Sequence, residues 1–415
     1  MSPISGTSKD QKGTKSIILQ TLRIRGPISR AVLSEITKLS RATISEAITS
    51  FIDDGWIIET EKMESRGGRP AISLELAPHT CAIIGADLDD QVWTIGAFDL
   101  CGNRIHSMQV YVEDSSPEIT IQTLLNSLHT FIKDLDITPI PFIGIGSPGL
   151  VDSENGIVQS AADLGWKHVE IGKRVEKHLG WQAVVLNRYR ARGLAECRYG
   201  AGRNHNEILY IGVGNGLAGG LYLNRQLITG FNGGAGEIGH MTIEPNGPIC
   251  PCGNRGCLQM IASGPALVQE TRRLLFEGAA SRLNSDASFD LSLLKPLDVC
   301  KAANEGDSVA KEAVEKIASY LGIAMANLVN VINPEVIILG GVIPKECPHF
   351  VNTSTKVMHQ RGMKPLATST FVKTTVLNTF GGALGAANYA LDRYLTYPIL
   401  ANLRETAKAA NQQSP

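Results

Sequence analysis

The chain has 415 residues, 43% hydrophobic and 19% charged, with a formal net charge of −1. That is the make-up of a globular protein long enough for two or three domains, and the near-zero charge excludes a polyelectrolyte whose partner could be read from overall charge. No run approaches the ~20 apolar residues that would cross a bilayer. The first residues are polar and carry no apolar signal core, and five of the eight cysteines are scattered with no disulfide framework. The expectation is a cytoplasmic protein of a reducing compartment.

Charge is unevenly placed. Residues 1–50 carry Lys9, Lys12, Lys15, Arg23, Arg25, Arg30, Lys38 and Arg41 against only Asp10, Glu35 and Glu46, which suggests a nucleic-acid module on a neutral body. After a polar start, residues 15–24 place Ile17, Ile18, Leu19 and Leu22 at helical spacing, and Gly26-Pro27 ends that helix. Ser29 then reads as the N-cap of a helix with Val32, Leu33 and Ile36 on one face, and Ser40 as the cap of a third carrying Ile44, Ile48, Phe51 and Ile52. Two short amphipathic helices across a tight turn predict a helix-turn-helix. Residues 55–59 and 71–76 read as antiparallel strands around the turn Ser65-Arg66-Gly67-Gly68-Arg69-Pro70, which completes a winged form. The recognition helix would present Arg41, Ala42, Thr43, Ser45 and Glu46 to base edges and phosphates, with Arg66 and Arg69 at the wing tip for a narrow minor groove or flanking phosphates. A helical hairpin for protein contacts is the plainer alternative; the Gly-Gly-Arg-Pro wing and the basic bias favour DNA.

Beyond Pro78-His79, apolar runs at 82–88 and 92–98, a helix at 117–135 and a buried strand at 141–145 predict an α/β lobe. A strand at 184–186 follows, and the runs at 208–213 and 219–223 open a second lobe as a hairpin. Val309, Ala313, Val314, Ile317, Leu321, Ala324 and Leu328 keep a 3.6 period and mark a long amphipathic helix before the strand 336–339. No internal repeat of fixed period is visible.

The densest chemistry lies between Gly236 and Gln259, in G-E-I-G-H-M-T-I-E-P-N-G-P-I-C-P-C-G-N-R-G-C-L-Q. His240, Cys250, Cys252 and Cys257 make a full tetrahedral set for a structural zinc ion, with no position left open for water. Gly253 and Gly256 permit the tight backbone that turns the sulfurs inward. Buried free cysteines are the alternative, which clustering with glycines and an upstream histidine disfavours.

G-E-I-G-H followed by C-P-C-G-N-R-G-C-L resembles the signature of the ROK family of repressors and sugar kinases. The resemblance implies an α/β chain: a winged helix-turn-helix over residues 1–77, then a two-lobed, actin-like sugar-kinase fold. The first lobe would span 78–195, with a returning C-terminal helix at 381–397. The second would span 196–380 with the zinc loop, and 398–415 would be a tail. Kinases of this family carry D-x-G-G-T at the first phosphate loop; here Asp87-Leu88-Asp89-Asp90-Gln91 puts two aspartates where glycines approach phosphate. One like-charge contact at ~4 Å costs about 4 kcal/mol at an effective dielectric of ~20. The second loop, Gly214 to Gly220, has Ala218 in place of a glycine. The kinase motif N-D-x-N-A, whose Asp is the general base, reads Asn187-Arg188-Tyr189-Arg190-Ala191. A guanidinium cannot accept that proton, and losing a positioned base costs ~10²–10⁴ in rate. No kinase activity is expected.

The family's sugar contacts map onto Asp163, Asn187, Arg188, Glu237, His240 and Gln259. His240 would serve the zinc with one nitrogen and the pocket with the other. Arg188 and Gln259 replace acids, which shifts the pocket toward a sugar phosphate or sugar acid; the alternative is that Arg188 pairs internally with Asp163. The resulting expectation is a transcriptional repressor of carbohydrate genes. It would bind an operator as a homodimer or homotetramer and respond to a sugar-type effector or to a protein of a sugar-transport system, with a sugar kinase carrying a DNA-binding head as the remaining rival.

Overall fold

The computed structural model describes residues 7–62, 72–89, 92–114, 116–284 and 290–396; for residues 7–12, 61, 62, 163 and 396 it describes the backbone alone. The chain opens with α1 (Thr7–Arg25), α2 (Arg30–Thr37) and α3 (Arg41–Asp53), then the antiparallel pair β1 (Ile57–Lys62) and β2 (Ile72–Leu76). Each helix start is chemically marked. Ser29 Oγ accepts from the Val32 amide at 3.3 Å and Ser40 Oγ from the Thr43 amide at 3.1 Å, which satisfies donors the first turn leaves orphaned. Between them Lys38 takes a left-handed φ of 60°. Ile18, Leu22, Leu33, Ile44, Ile48 and Phe51 bury their side chains together, so the predicted helical faces form the core of a winged helix-turn-helix.

Two five-stranded sheets follow. The first contains β3 (Ala82–Asp87), β4 (Val92–Phe98), β5 (Arg104–Tyr111), β6 (Pro139–Ser147) and, after a small sheet of β7 (Leu150–Asp152), β8 (Ile157–Ala161) and β9 (Trp166–Val169), the strand β10 (Gln182–Asn187). Helices α4 (Pro117–Lys133) and α5 (Ile171–Leu179) connect them, and α6 (Arg188–Tyr199) leads out. The second sheet contains β11 (Ile208–Val213), β12 (Leu217–Leu223) and β13 (Gln226–Ile228). The metal loop and helices α7 (Leu258–Ala262), α8 (Gly264–Phe276), α9 (Pro296–Asn304) and α10 (Ser308–Ile332) precede β14 (Val336–Gly340). Helices α11 (Val342–Glu346), α12 (Pro348–Arg361) and α13 (Lys364–Ser369) separate it from β15 (Phe371–Thr374), and α14 (Gly381–Thr396) closes the described chain.

Both sheets have one topology. In each, a three-strand antiparallel meander continues into two parallel strands, giving the orders β5-β4-β3-β6-β10 and β13-β12-β11-β14-β15. The repeat is one of architecture and leaves no periodic trace in the residues. Helix α14 returns to lie across β3 and β6 at backbone contact: a Cβ at Gly85 would stand 2.0 Å from the Ala383 carbonyl, and one at Gly144 1.8 Å from that of Ala386. One apolar cluster runs from α1 and α3 through Leu76 and Leu100 to α14 and α6, so the head is packed on the body. No helix among the described residues is long and apolar enough to cross a membrane.

Candidate metal centre, effector cleft and DNA-reading head

The metal loop is shaped by its backbone. Gly253 and Gly256 take φ of 90° and 69°, and a Cβ on Gly256 would overlap the Glu244 carbonyl. With the chain folded this tightly, the ligand atoms of His240, Cys250, Cys252 and Cys257 all lie within 4.8 Å of one another. Cys250 Sγ is 3.7 Å from His240 Nδ1, and Cys252 Sγ is 3.7 Å from Cys257 Sγ. A tetrahedral zinc with bonds of ~2.3 Å to sulfur has S···S edges of about 3.8 Å. The four residues fit a metal ion.

Gln259 donates from Nε2 to Cys250 Sγ at 3.4 Å. A neutral amide can give this hydrogen bond to a thiolate and a carboxylate cannot. His240 turns Nδ1 toward the Cys250 thiol. Its neighbour Glu237, in the turn leading into Ile238–His240, faces the first lobe.

Across the cleft, Asn187 caps α6 by accepting from the Tyr189 amide at 2.9 Å, while its Nδ2 donates to the Gly149 carbonyl at 2.9 Å. The side chains that follow divide between two places. Arg190, 1% exposed, reaches Glu237 Oε1 at 2.9 Å and donates to the Gly233 carbonyl. The guanidinium beside Glu237 is therefore that of Arg190, which the family comparison did not single out. Arg188 points to Asp89, with Nη1 2.6 Å from Oδ1. The internal partner expected for it was Asp163, whose side chain lies outside the described residues; its backbone sits in the turn Ala162–Leu164.

Asp89 also accepts from Arg192, which in turn makes two bonds to Asp87 at 3.0 and 2.8 Å. Burial alone would raise the Asp89 carboxyl, but the Arg192 and Arg188 guanidiniums outweigh it and hold it below the usual carboxylate range. The expectation of bare aspartates repelling a phosphate is thus corrected: the described one, Asp89, is neutralised from within, and Asp90 lies outside the described residues. Tyr189 fills the other side. Its ring lies where a Cβ on Gly212 would be, and its hydroxyl donates to the Gly216 carbonyl at 3.2 Å. Arg188, Tyr189 and Arg192, all from the start of α6, thus contact both stretches that resemble phosphate loops.

On the head, Arg41, Ala42, Ser45 and Glu46 are exposed along one face of α3, while Thr43 is half-buried and shares a 2.8 Å hydroxyl bond with Ser40. Lys15 is held over Phe51 and bonds Ser50 Oγ at 2.9 Å, so the back of α3 is fixed against α1. Arg66 and Arg69 lie outside the described residues.

Comparison with known proteins agrees with this geometry over nearly the whole chain. The ROK family model matches residues 83–393. The xylose repressor of Bacillus subtilis (strain 168) is 28% identical over 387 residues, covering 93% of this chain and 96% of that protein. The DNA-binding transcriptional dual regulator NagC of Escherichia coli (strain K12) is 31% identical over 320 residues, 77% of each chain. Among solved structures, a ROK family transcriptional regulator described as a homologue of the E. coli MLC protein aligns with a TM-score of 0.80 at 26% identity, covering 94% of this chain and 98% of its own. A ROK family glucokinase from Streptomyces griseus, in complex with glucose and AMPPNP, aligns with a TM-score of 0.67 at 28% identity over 75% of this chain and 99% of its own. The regulator thus aligns over more of this chain than the kinase does. With the metal loop, the paired sheets and the matched span all in one register, the chain belongs to the ROK family.

Proposed function

We propose that this protein is a DNA-binding transcriptional repressor of carbohydrate genes, released or reset by a sugar-type effector in the cleft between its lobes, and that it has no kinase activity. The observation that carries the reading is a winged head presenting Arg41, Ala42, Ser45 and Glu46 to solvent on a kinase-like body. In that body, Arg188 and Arg192 bind the aspartates of the first loop and Tyr189 the Gly216 carbonyl of the second, which supports a reading without phosphoryl transfer. Exposed polar side chains at the start of a recognition helix are those that read the major groove. Arg66 and Arg69 are assigned to the wing contact.

The chain is divided at residue 77 into head and body, with lobes over 78–195 and 196–380 and α14 returned to the first. The effector is assigned to Asn187, Glu237 and His240, with Asp163 from the opposite turn and Arg190 holding Glu237 in place. Arg188 is assigned to the pair with Asp89 and Gln259 to the metal loop. A structural zinc at His240, Cys250, Cys252 and Cys257 fixes the wall from which His240 and Glu237 project; bound there it supplies cross-linking and no reactive water. Repression from a two-fold operator needs paired heads spaced by helical turns, so the working form is assigned as a homodimer or homotetramer.

Thermal stability of the zinc-loaded protein tests this directly. A ligand at 100 times its Kd adds about 2.7 kcal/mol. A neutral sugar, sugar acid or sugar phosphate should raise the Tm while ATP leaves it unchanged, and turnover of ATP would overturn the reading. Silence toward all sugars would shift control to a protein of a sugar-transport system.

A further inference from the structure

An open cleft of about 810 Å³ lies where the head, the first lobe and the second lobe meet. The end of α1, the turn Leu100–Asn103 at the tip of the β4–β5 hairpin, the end of α6 and the entry to α14 all line it. Among the described residues lining it, Glu75 alone is acidic, and it is engaged by Thr60 Oγ1 at 2.9 Å. Asp99, beneath the Leu100–Asn103 turn, is consumed by Cys101 and Asn103.

The cations are numerous and mostly uncompensated. Arg23 and Arg198 share one carboxylate, Asp392, at 2.8 and 2.5 Å. Arg25, Arg104, Arg203 and Arg225 have no carboxylate partner among the described residues. Arg225 is the most telling. It is 8% exposed, its Nη atoms donate to the carbonyls of Arg203, His205 and Cys197, and its Nε has no partner. The buried Nε atoms of Arg23 and Arg198 are likewise unpartnered. A guanidinium held by carbonyls among other cations lacks the counter-charge that a buried charge requires.

Its backbone adds a second observation. Arg225 has φ of 64° in the two-residue turn between β12 and β13, a position that Gly or Asn takes without strain. Holding an arginine there at a backbone penalty, with its guanidinium carried back to the junction, points to a function for the charge.

We propose that this cleft is a second ligand site, separate from the sugar cleft, for a small phosphorylated molecule carrying two or more negative charges. Its volume falls in the range of small-molecule sites, and Phe98, Tyr199 and Phe380 give it an aromatic wall. Arginines are suited to phosphate because their planar forks give paired hydrogen bonds. Arg23 belongs to the head and is tied to α14 through Asp392 and the Asn388 carbonyl at 2.8 Å. A phosphate that competes with Asp392 for Arg23 and Arg198 changes how the head is held, so the site couples to DNA affinity through that tie.

The test is calorimetric titration of the full chain with inorganic pyrophosphate at fixed ionic strength, followed by glucose 6-phosphate and ADP as separate arms. Saturable one-to-one binding of pyrophosphate is expected, and the two further arms tell a sugar phosphate from a nucleotide. Arg225→Asn suits the left-handed backbone, and Arg203→Gln and Arg104→Gln alter exposed side chains with no carboxylate partner among the described residues, Arg104 lying over the Phe380 ring. Each should weaken binding about tenfold, the equivalent of one charge-assisted hydrogen bond. If Arg225→Asn fails to fold, the two exposed variants decide. Absence of binding at millimolar pyrophosphate overturns the proposal, as does undiminished binding in the variants. A loss of duplex affinity and salt slope in the variants without any pyrophosphate response also overturns it and assigns the arginines to DNA. The sugar-cleft variant Glu237→Gln should keep the pyrophosphate response whether or not the sugar reading holds, which separates the two sites.

Discussion

Replacing Arg190 by Met should loosen the cleft more than any single change in the DNA-reading face. The side chain spans from α6 to the opposite lobe, with Nη2 2.9 Å from Glu237 Oε1 and a second bond to the Gly233 carbonyl. Methionine keeps the apolar stem and leaves a carboxylate and a carbonyl without their donor. Removing one partner of a buried ion pair costs about 3–5 kcal/mol. Glu237 is 25% exposed, so water reaches it and the lower end, about 3 kcal/mol, applies. At a urea dependence of ~3 kcal/mol/M this lowers the midpoint of the affected transition by about 1 M. Glu237→Gln in the same chain removes the stranded charge and should restore roughly half, which a double-mutant cycle would read as coupling. Urea unfolding followed by tryptophan fluorescence measures both. A midpoint shift below ~0.3 M, or a double variant no better than the single one, refutes the idea that this pair holds the lobes together.

Other perturbations follow from the same geometry. Stripping the metal with a chelator, or Cys257→Ser, should release one zinc per chain and lower the Tm; it should also abolish sugar stabilisation, because His240 and Glu237 hang on that loop. Metal analysis with a thermal scan checks this, and an unchanged scan after complete removal would contradict it. Arg41→Ala should weaken operator binding with little change in Tm and reduce the salt slope by about one if it contacts phosphate, or relax base preference if it contacts an edge; fluorescence anisotropy across a salt series distinguishes the two.

A pH dependence attaches to Asp307, which caps α10 through the Ala310 amide at 2.8 Å and also accepts from the Arg282 amide and Ser281. Burial alone would raise this carboxyl, but those amide donors outweigh it and hold it below the usual range. With the folded value depressed, its stabilisation is present above the ordinary carboxylate value of ~3.9 and is lost as pH falls through the folded one. Asp307→Ala should cost about 1–2 kcal/mol at neutral pH, and Asp307→Asn less, since it keeps a capping oxygen. The gap between the urea midpoints of wild type and the alanine variant should be full at pH 7 and close only as the pH falls below ~4 and through the depressed folded value.

Much of this was legible from residues in order. The head could be read because Ser29 and Ser40 mark helix starts and Leu33, Ile44 and Ile48 keep helical spacing. The metal set could be read because three of its four ligands fall within one short loop. Helix α6 could not. Arg188, Arg190, Glu196 and Arg198 are buried, so its pattern lacks the apolar stripe that announces a core helix, and their partners lie about 40 to 200 residues away. The motif comparison fixed on Arg188 because it stands where a kinase has its base; only the fold shows that Arg190, two residues on, meets Glu237. The contact of Gln259 with Cys250 was hidden for a similar reason, since its partner is a sulfur whose position depends on the loop. The small sheet β7–β9 was missed because its strands are three to five residues long, too short for alternation to register.

The central claim is that a sugar in the cleft changes the grip of the head on DNA. Its most direct test is to select a duplex from random sequence with the zinc-loaded full chain, and then to titrate the complex by fluorescence anisotropy with and without the sugar that most raises the Tm. A sequence-specific complex whose Kd shifts at least tenfold with that sugar, with no ADP formed when ATP is added, is the predicted result. Sequence-specific binding that no sugar alters would contradict the coupling, and sugar-dependent ADP formation would return the protein to the kinases.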